Sequence, residues 1–162
     1  MLIKERFMNF YLQLLIAFIA SFIACLGFNI LFENKGKYVF LSSLGGGIAW
    51  VIYVYFRGDS IALASFLSGA WCAAYAEVMA KIYKSPATIF LIIAILPMVP
   101  GADIFNMMKA AVFNDIELLM RSMNNTLTIS GYIALGIIIV FSLVVLVKNV
   151  LRNLRKKKSM LS

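Results

Sequence analysis

The chain has 162 residues, 63% of them hydrophobic and 14% charged, with a mean hydropathy of +0.94. Soluble domains are about half apolar and about a quarter charged, so this composition excludes a soluble globular protein and indicates an integral membrane protein. The 15 Lys and Arg against 7 Asp and Glu give a net charge of +8, but Lys148, Arg152, Arg155, Lys156, Lys157 and Lys158 all follow the last apolar stretch, a membrane-flank pattern that sets nucleic-acid binding aside.

With no His, and with Cys25 and Cys72 each inside an apolar stretch, neither a metal cluster nor a Cys/His or Ser/His/Asp nucleophile can be assembled. Catalysis is not expected, and no cofactor or metal is implied. The two cysteines read as small apolar fillers.

The first apolar stretch, residues 7–32, could cover about 39 Å as a helix and cross a hydrocarbon core of about 30 Å with tilt. Lys4 and Arg6 give it a basic start like that of a secretion signal. The apolar sequence continues to Phe32, however, longer than a cleavable segment, so it is read as a retained helix. Glu33 to Lys37 forms a polar break, and residues 38–56 supply a second span. Arg57-Gly58-Asp59 turns the chain into a third, residues 60–83, closed by Lys84-Ser85-Pro86 because proline disfavours helix in the residue before it.

The fourth segment is different. Ala87 to Leu96 makes about 15 Å of helix, half a bilayer, before Pro97-Met98-Val99-Pro100-Gly101 interrupts it. Beyond the break, Ala102 to Arg121 reads as one amphipathic helix, with Asp103, Asn106, Lys109, Glu117 and Arg121 toward one side. Residues 87–122 therefore form either one discontinuous span or a re-entrant hairpin leading into an amphipathic helix. Residues 124–147 are the last span, and 148–162 form the basic tail. The expected fold is a single all-α membrane domain of about five transmembrane segments, the fourth broken at Pro97–Gly101. Counting Lys and Arg on each side puts the tail in the cytoplasm whether the broken segment crosses or re-enters. Five crossings, with the N-terminus outside, are preferred.

Small residues mark where helices can approach closely. Ser65, Gly69 and Ala73 recur every four residues on the third span, and Ser42/Gly46 and Ser43/Gly47 do so on the second, a pattern for interior packing or for a partner. Glu77 continues the first stripe and should face the bundle. With Lys81 four residues on, it reads either as an ion pair at the membrane boundary or as a proton-coupling or substrate site.

The break is the sharper candidate. Unwound backbone persists inside a membrane only where protein or a water-filled cavity satisfies its polar groups. A helix restarting at Ala102 would aim free N–H groups and a positive dipole end at such a cavity, a site for a carboxylate lined by Pro97, Pro100, Gly101, Asp103 and Asn106. The alternative is a turn at the membrane surface, with Asp103 an ordinary first-turn acid. Asn29 and Thr88 read as interhelical ties. Trp50, Trp71, Tyr53 and Tyr55 read as packing or interface anchors.

These residues carry a resemblance. Ala76-Glu77-Val78-Met79-Ala80-Lys81, then Ser85-Pro86-Ala87-Thr88-Ile89-Phe90, ending in Leu96-Pro97-Met98-Val99-Pro100-Gly101, is similar in order and spacing to the AE-x-x-A-[RK], PAT-x-F and I-x-P-x-x-PG pattern of the threonine/serine exporter family. The resemblance is to its small-subunit, C-terminal-half type. Gly27 to Phe32 and Gly47 to Tyr53 add weaker similarity. The resemblance implies export of small amino acids or, as in related two-subunit systems, succinate, from a bacterial cytoplasmic membrane. It also implies a larger membrane subunit of the same family as partner, with the lipid bilayer and a small-molecule substrate as the other contacts and a homo-oligomer as a further arrangement. The competing expectation is a non-transporting membrane scaffold or regulatory subunit whose grooves only hold a partner.

Overall fold

A computed structural model describes residues 2–159 of the chain, with side chains for residues 10–150 and 152. The described backbone is helical: α1 (Leu2–Leu31), α2 (Lys37–Phe56), α3 (Ile61–Tyr83), α4 (Ala87–Ile95), a 3-10 turn (Leu96–Met98), α5 (Gly101–Phe113) and α6 (Ile116–Ser159). Four helices are long and apolar enough to cross a membrane, and the pair 87–98 and 101–113, bent by 52° at its break, makes up to five. The side chains of Lys4 and Arg6 and of Arg155 to Lys158 lie outside those described.

Local signals set the boundaries. Ser60 precedes α3 and its hydroxyl accepts from the Leu63 N–H at 3.4 Å, an N-cap. Lys84 ends α3 in the left-handed conformation, and the Ser85 N–H reaches back to the Ala80 carbonyl at 3.1 Å, which recovers a carbonyl the helix end would leave free. One boundary differs from expectation. The helix expected from Ala102 to Arg121 is split, because Asn114 turns left-handed (φ 53°) and Asp115 caps a new helix, its carboxylate accepting from the Leu118 N–H at 3.0 Å. Glu117 and Arg121 thus belong to α6, and the amphipathic piece is α5 alone.

The helices α2, α3 and α4 form the centre, with α1 packed on α2 and α4, and α6 packed on α3 and α5. The core is made of small residues: Cys25, Ala49, Ala64, Cys72, Ala73, Ala76 and Ala94 are fully buried, as are Ser42, Ser43, Ser65 and Ser68. Small side chains let helix backbones approach closely where lipid offers no hydrophobic drive to association. The serine hydroxyls are satisfied within their own helices, Ser65 to the Ile61 carbonyl and Ser68 to the Ala64 carbonyl, both at 2.7 Å. Large apolar side chains such as Ile16, Ile23, Ile138 and Leu146 point outward from α1 and α6, as expected of lipid-facing or partner-facing surfaces.

Chain direction follows from side-chain neighbours. α1 and α2 are antiparallel, with Phe10 near Tyr55 at one end and Asn29 bonded to Ser42 and Ser43 toward the other. α3 and α6 are parallel: Gly69 lies against Ile133, Gly136 against Phe66 and Ala70, and Glu77 against Lys148. A chain that leaves α3 at one end and begins a parallel α6 from the other must travel the length of the bundle in between. α4, the 3-10 turn and α5 therefore carry it back from one end of the bundle to the other. Lys35, Lys37 and Lys84 share an end with Lys148, and Arg57 shares the opposite end with the Asn114–Asp115 turn.

Candidate functional site

The break in the fourth segment lies between the middle of the bundle and its Arg57 end. Ala94, at the end of α4, is level with Cys72 at the centre of α3, and Asp103, in the first turn of α5, reaches Asn125 on α6. Its chemistry starts with Pro97. Proline has no N–H, so the carbonyl of Ile93 loses its helical partner. The chain then tightens over Leu96–Met98 into a 3-10 turn, where N–H groups reach back three residues instead of four and pass over the Ala94 carbonyl.

Two thiols take these two carbonyls. Cys25 of α1 donates to the Ile93 oxygen at 3.5 Å and Cys72 of α3 donates to the Ala94 oxygen at 3.4 Å. Both cysteines are fully buried. They act as donors as well as the small fillers expected from sequence. Gly46 makes room for the first contact, since a Cβ there would stand 2.5 Å from the Cys25 sulfur and 3.4 Å from the Ile93 oxygen. The inner side of the break is closed by Met98, buried in a cluster with Ala49, Tyr53, Ala64 and Ile133. The carbonyls freed inside the bundle thus meet protein donors, and Ile93 also lines a cavity of about 140 Å³ with Phe32, Asn34, Thr88 and Ile92.

The outer side of the break is open. Val99, Gly101 and Ala102 are exposed, and a Cβ at Gly101 would meet nothing within 4 Å. The Gly101 N–H folds back on the Val99 carbonyl at 2.7 Å and the Ile104 N–H on Pro100 at 3.0 Å. Pro100 offers no side chain as a cap, so among the described bonds nothing takes the N–H groups of Ala102 and Asp103. Two donors and the positive end of α5 converge there. Asp103 is half-buried and accepts from the Asn125 amide at 3.3 Å, which holds its carboxylate against α6. Asn106 lies one turn on, half-buried. Pro97, Pro100, Gly101, Asp103 and Asn106 thus follow one another along the break and the first turns of α5, with Gly101 exposed and Asp103 tied to α6.

Glu77 is at the other end of the bundle. Its carboxylate pairs with Lys148 of α6 at 3.0 Å, the single ion pair among the described side chains, and Lys81 is exposed. Sequence spacing pointed to Lys81 and missed Lys148, because the parallel docking of α6 is not visible in the spacing of α3. The other small-residue positions meet neighbouring helices within the chain: Gly69 receives the α6 backbone at Ile133, Gly47 receives the ring of Phe18, and Ser65 and Ala73 are buried beside Gly69. Gly136, which no sequence pattern singled out, receives the Phe66 carbonyl, with a virtual Cβ at 2.4 Å.

Asn29 is the hub of a second polar group. Its amide donates to Ser43 at 3.0 Å and to the Cys25 carbonyl at 2.9 Å, while its oxygen accepts from Asn34 at 2.9 Å and Ser42 at 3.0 Å. Every polar atom of this side chain is occupied within the protein, as for a tie between helices.

Comparison with curated proteins and with solved structures gives no match. The family model described as threonine/serine exporter, ThrE, matches residues 17–143, from the middle of α1 through the break and into the last span. That match covers most of the chain and all of the geometry around Pro97–Gly101, and by it the protein belongs to the threonine/serine exporter family, whose members are transporters.

Proposed function

We propose that the chain is one subunit of a secondary-active exporter that moves threonine and serine, or a small dicarboxylate such as succinate, out of the cell. A larger membrane subunit of the same family completes it. The observation that carries this reading is the open outer face of the break, where the N–H groups of Ala102 and Asp103 and the positive end of α5 stand uncapped beside Asn106. Threonine, serine and succinate share a carboxylate, the group that such a helix end binds. We assign Asp103, whose carboxylate accepts from Asn125, to the ammonium of an amino acid.

The basic residues at the Lys148 end support a cytoplasmic C-terminus in a bacterial cytoplasmic membrane. The sequence has no phosphate-binding loop of the G-x-x-x-x-G-K-[ST] kind, which favours coupling to an ion gradient over nucleotide hydrolysis.

The test is purification of the tagged chain in mild detergent, followed by efflux of labelled serine, threonine and succinate from cells with and without the co-purifying protein. Efflux that requires a larger membrane partner supports the reading and identifies the substrate. Efflux from the chain alone replaces the heteromer with a homo-oligomer. Co-purification of a partner with no efflux of any of the three gives the scaffold role instead.

A further inference from the structure

We propose that Cys25 and Cys72 are positioning residues whose thiols clamp the broken helix from two sides and set where α5 begins. The inference rests on the reading of the break as the substrate opening.

The argument is one of pairing. Pro97 and the 3-10 turn after it free two consecutive carbonyls, those of Ile93 and Ala94, and no others in α4. Each of the two meets one thiol, at 3.5 and 3.4 Å, from a different helix. These are the two cysteines of the chain, both buried, both unlinked. Inside a membrane an unpaired carbonyl finds no water, so a donor at that depth decides whether the broken conformation is tolerated.

A thiol suits the task because it is small, apolar enough to bury, and a weak donor. Gly46 gives the Cys25 sulfur its approach, and the Gly46 carbonyl is itself held by the Ser21 hydroxyl at 3.2 Å. The clamp thus joins α1, α2, α3 and α4 at one level, directly above the turn that aims the Ala102 and Asp103 N–H groups. Losing it would let α4 rewind or slide and would misplace those groups without touching the substrate opening itself.

The test compares donors with fillers in the full chain, reconstituted in lipid nanodiscs. Loss of one hydrogen bond changes a local opening equilibrium about fivefold, so amide hydrogen exchange over residues 95–104 should run about fivefold faster in Cys25→Ala and in Cys72→Ala. Cys25→Ser and Cys72→Ser keep a donor within reach of the same carbonyls and should exchange as the native chain does. The single variants keep the comparison available if the double alanine variant does not fold. Efflux, measured at equal membrane abundance, should fall in the alanine variants and return in the serine ones. Native exchange in both alanine variants overturns the clamp, as does equal acceleration by serine and alanine, which would assign the cysteines to volume alone. A native chain that exports none of the three substrates sinks the exporter reading, and the exchange comparison still decides the clamp.

Discussion

Glu77 shows how a residue's partner is decided by what docks beside it. The Glu-before-Lys spacing to Lys81 favours a pair along one helix, yet the carboxylate turns to Lys148 on α6, with side-chain exposures of 16% for Glu77 and 53% for Lys148. An ion pair with one partner this exposed contributes about 0.2–1 kcal/mol. Glu77→Gln and Lys148→Gln are therefore expected to act alike, each lowering the melting midpoint slightly, with the double variant no worse than either single one. Efflux should persist in all three. If Glu77→Gln alone abolished efflux while Lys148→Gln left it intact, the carboxylate would be the coupling group and not half of a tie. Asp103 gives the contrasting case: Asp103→Asn keeps the contact with Asn125 but removes the charge that the proposed function assigns to the substrate ammonium. It should weaken efflux of amino acids more than efflux of succinate, which carries no ammonium.

The α3–α6 crossing is fixed by two glycines, one legible in sequence and one not. Gly69 stands in a four-residue repeat with Ser65 and Ala73, which flags it, whereas Gly136 lies in the uncharged last span with no small neighbour four residues away. A Cβ at Gly69 would come within 2.7 Å of the Ile133 carbonyl oxygen, and one at Gly136 within 2.4 Å of the Phe66 oxygen. Both obstacles are backbone, so the helices must move apart, at a cost of about 1–3 kcal/mol per overpacked site. Gly136→Ala should lower the melting midpoint in detergent and loosen the Glu77–Lys148 end of α6, while Gly27→Ala, with nothing within 4 Å of its virtual Cβ, should be neutral or stabilising by up to about 1 kcal/mol. Equal melting of the two variants would refute a crossing at Gly136. The break at Pro97 was readable because proline and glycine act on their own backbone. The split at Asn114–Asp115 was equally local, an Asn suited to the left-handed conformation followed by a capping Asp, but the amphipathic pattern running through it concealed it. The donors that stabilise the break come from α1 and α3, tens of residues away, and no local pattern encodes them.

The path of the whole chain follows from a single relation, the parallel run of α3 and α6. Hydropathy alone left the fourth segment free to cross or to re-enter, because Ala87 to Leu96 is too short to cross unaided and the residues after the break are only partly apolar. The parallel docking of α3 and α6 favours a segment that crosses, since a re-entrant fourth segment would start α6 at the end where α3 stops and make the two antiparallel. α6 is also longer than a span. With Ile133 against Gly69, α6 runs about 26 Å back to Ile116 while α3 runs about 12 Å back to Ile61, so the α5–α6 hairpin extends about 13 Å beyond the start of α3. Its exposed Phe105, Met108, Val112 and Phe113 give this hairpin an apolar outer surface. Side-specific labelling of single cysteines tests this arrangement. In a Cys25→Ser, Cys72→Ser background, which keeps both donors to the broken helix, cysteines placed at Gly58 and Asn114 should react with a membrane-impermeant maleimide from one side. Those at Gly36 and Ser85 should react from the other. By the proposed orientation, the second pair is expected to react from the cytoplasmic side. Labelling of Asn114 from the same side as Ser85 would mean that the fourth segment re-enters, and with it the parallel docking of α3 and α6 would fall.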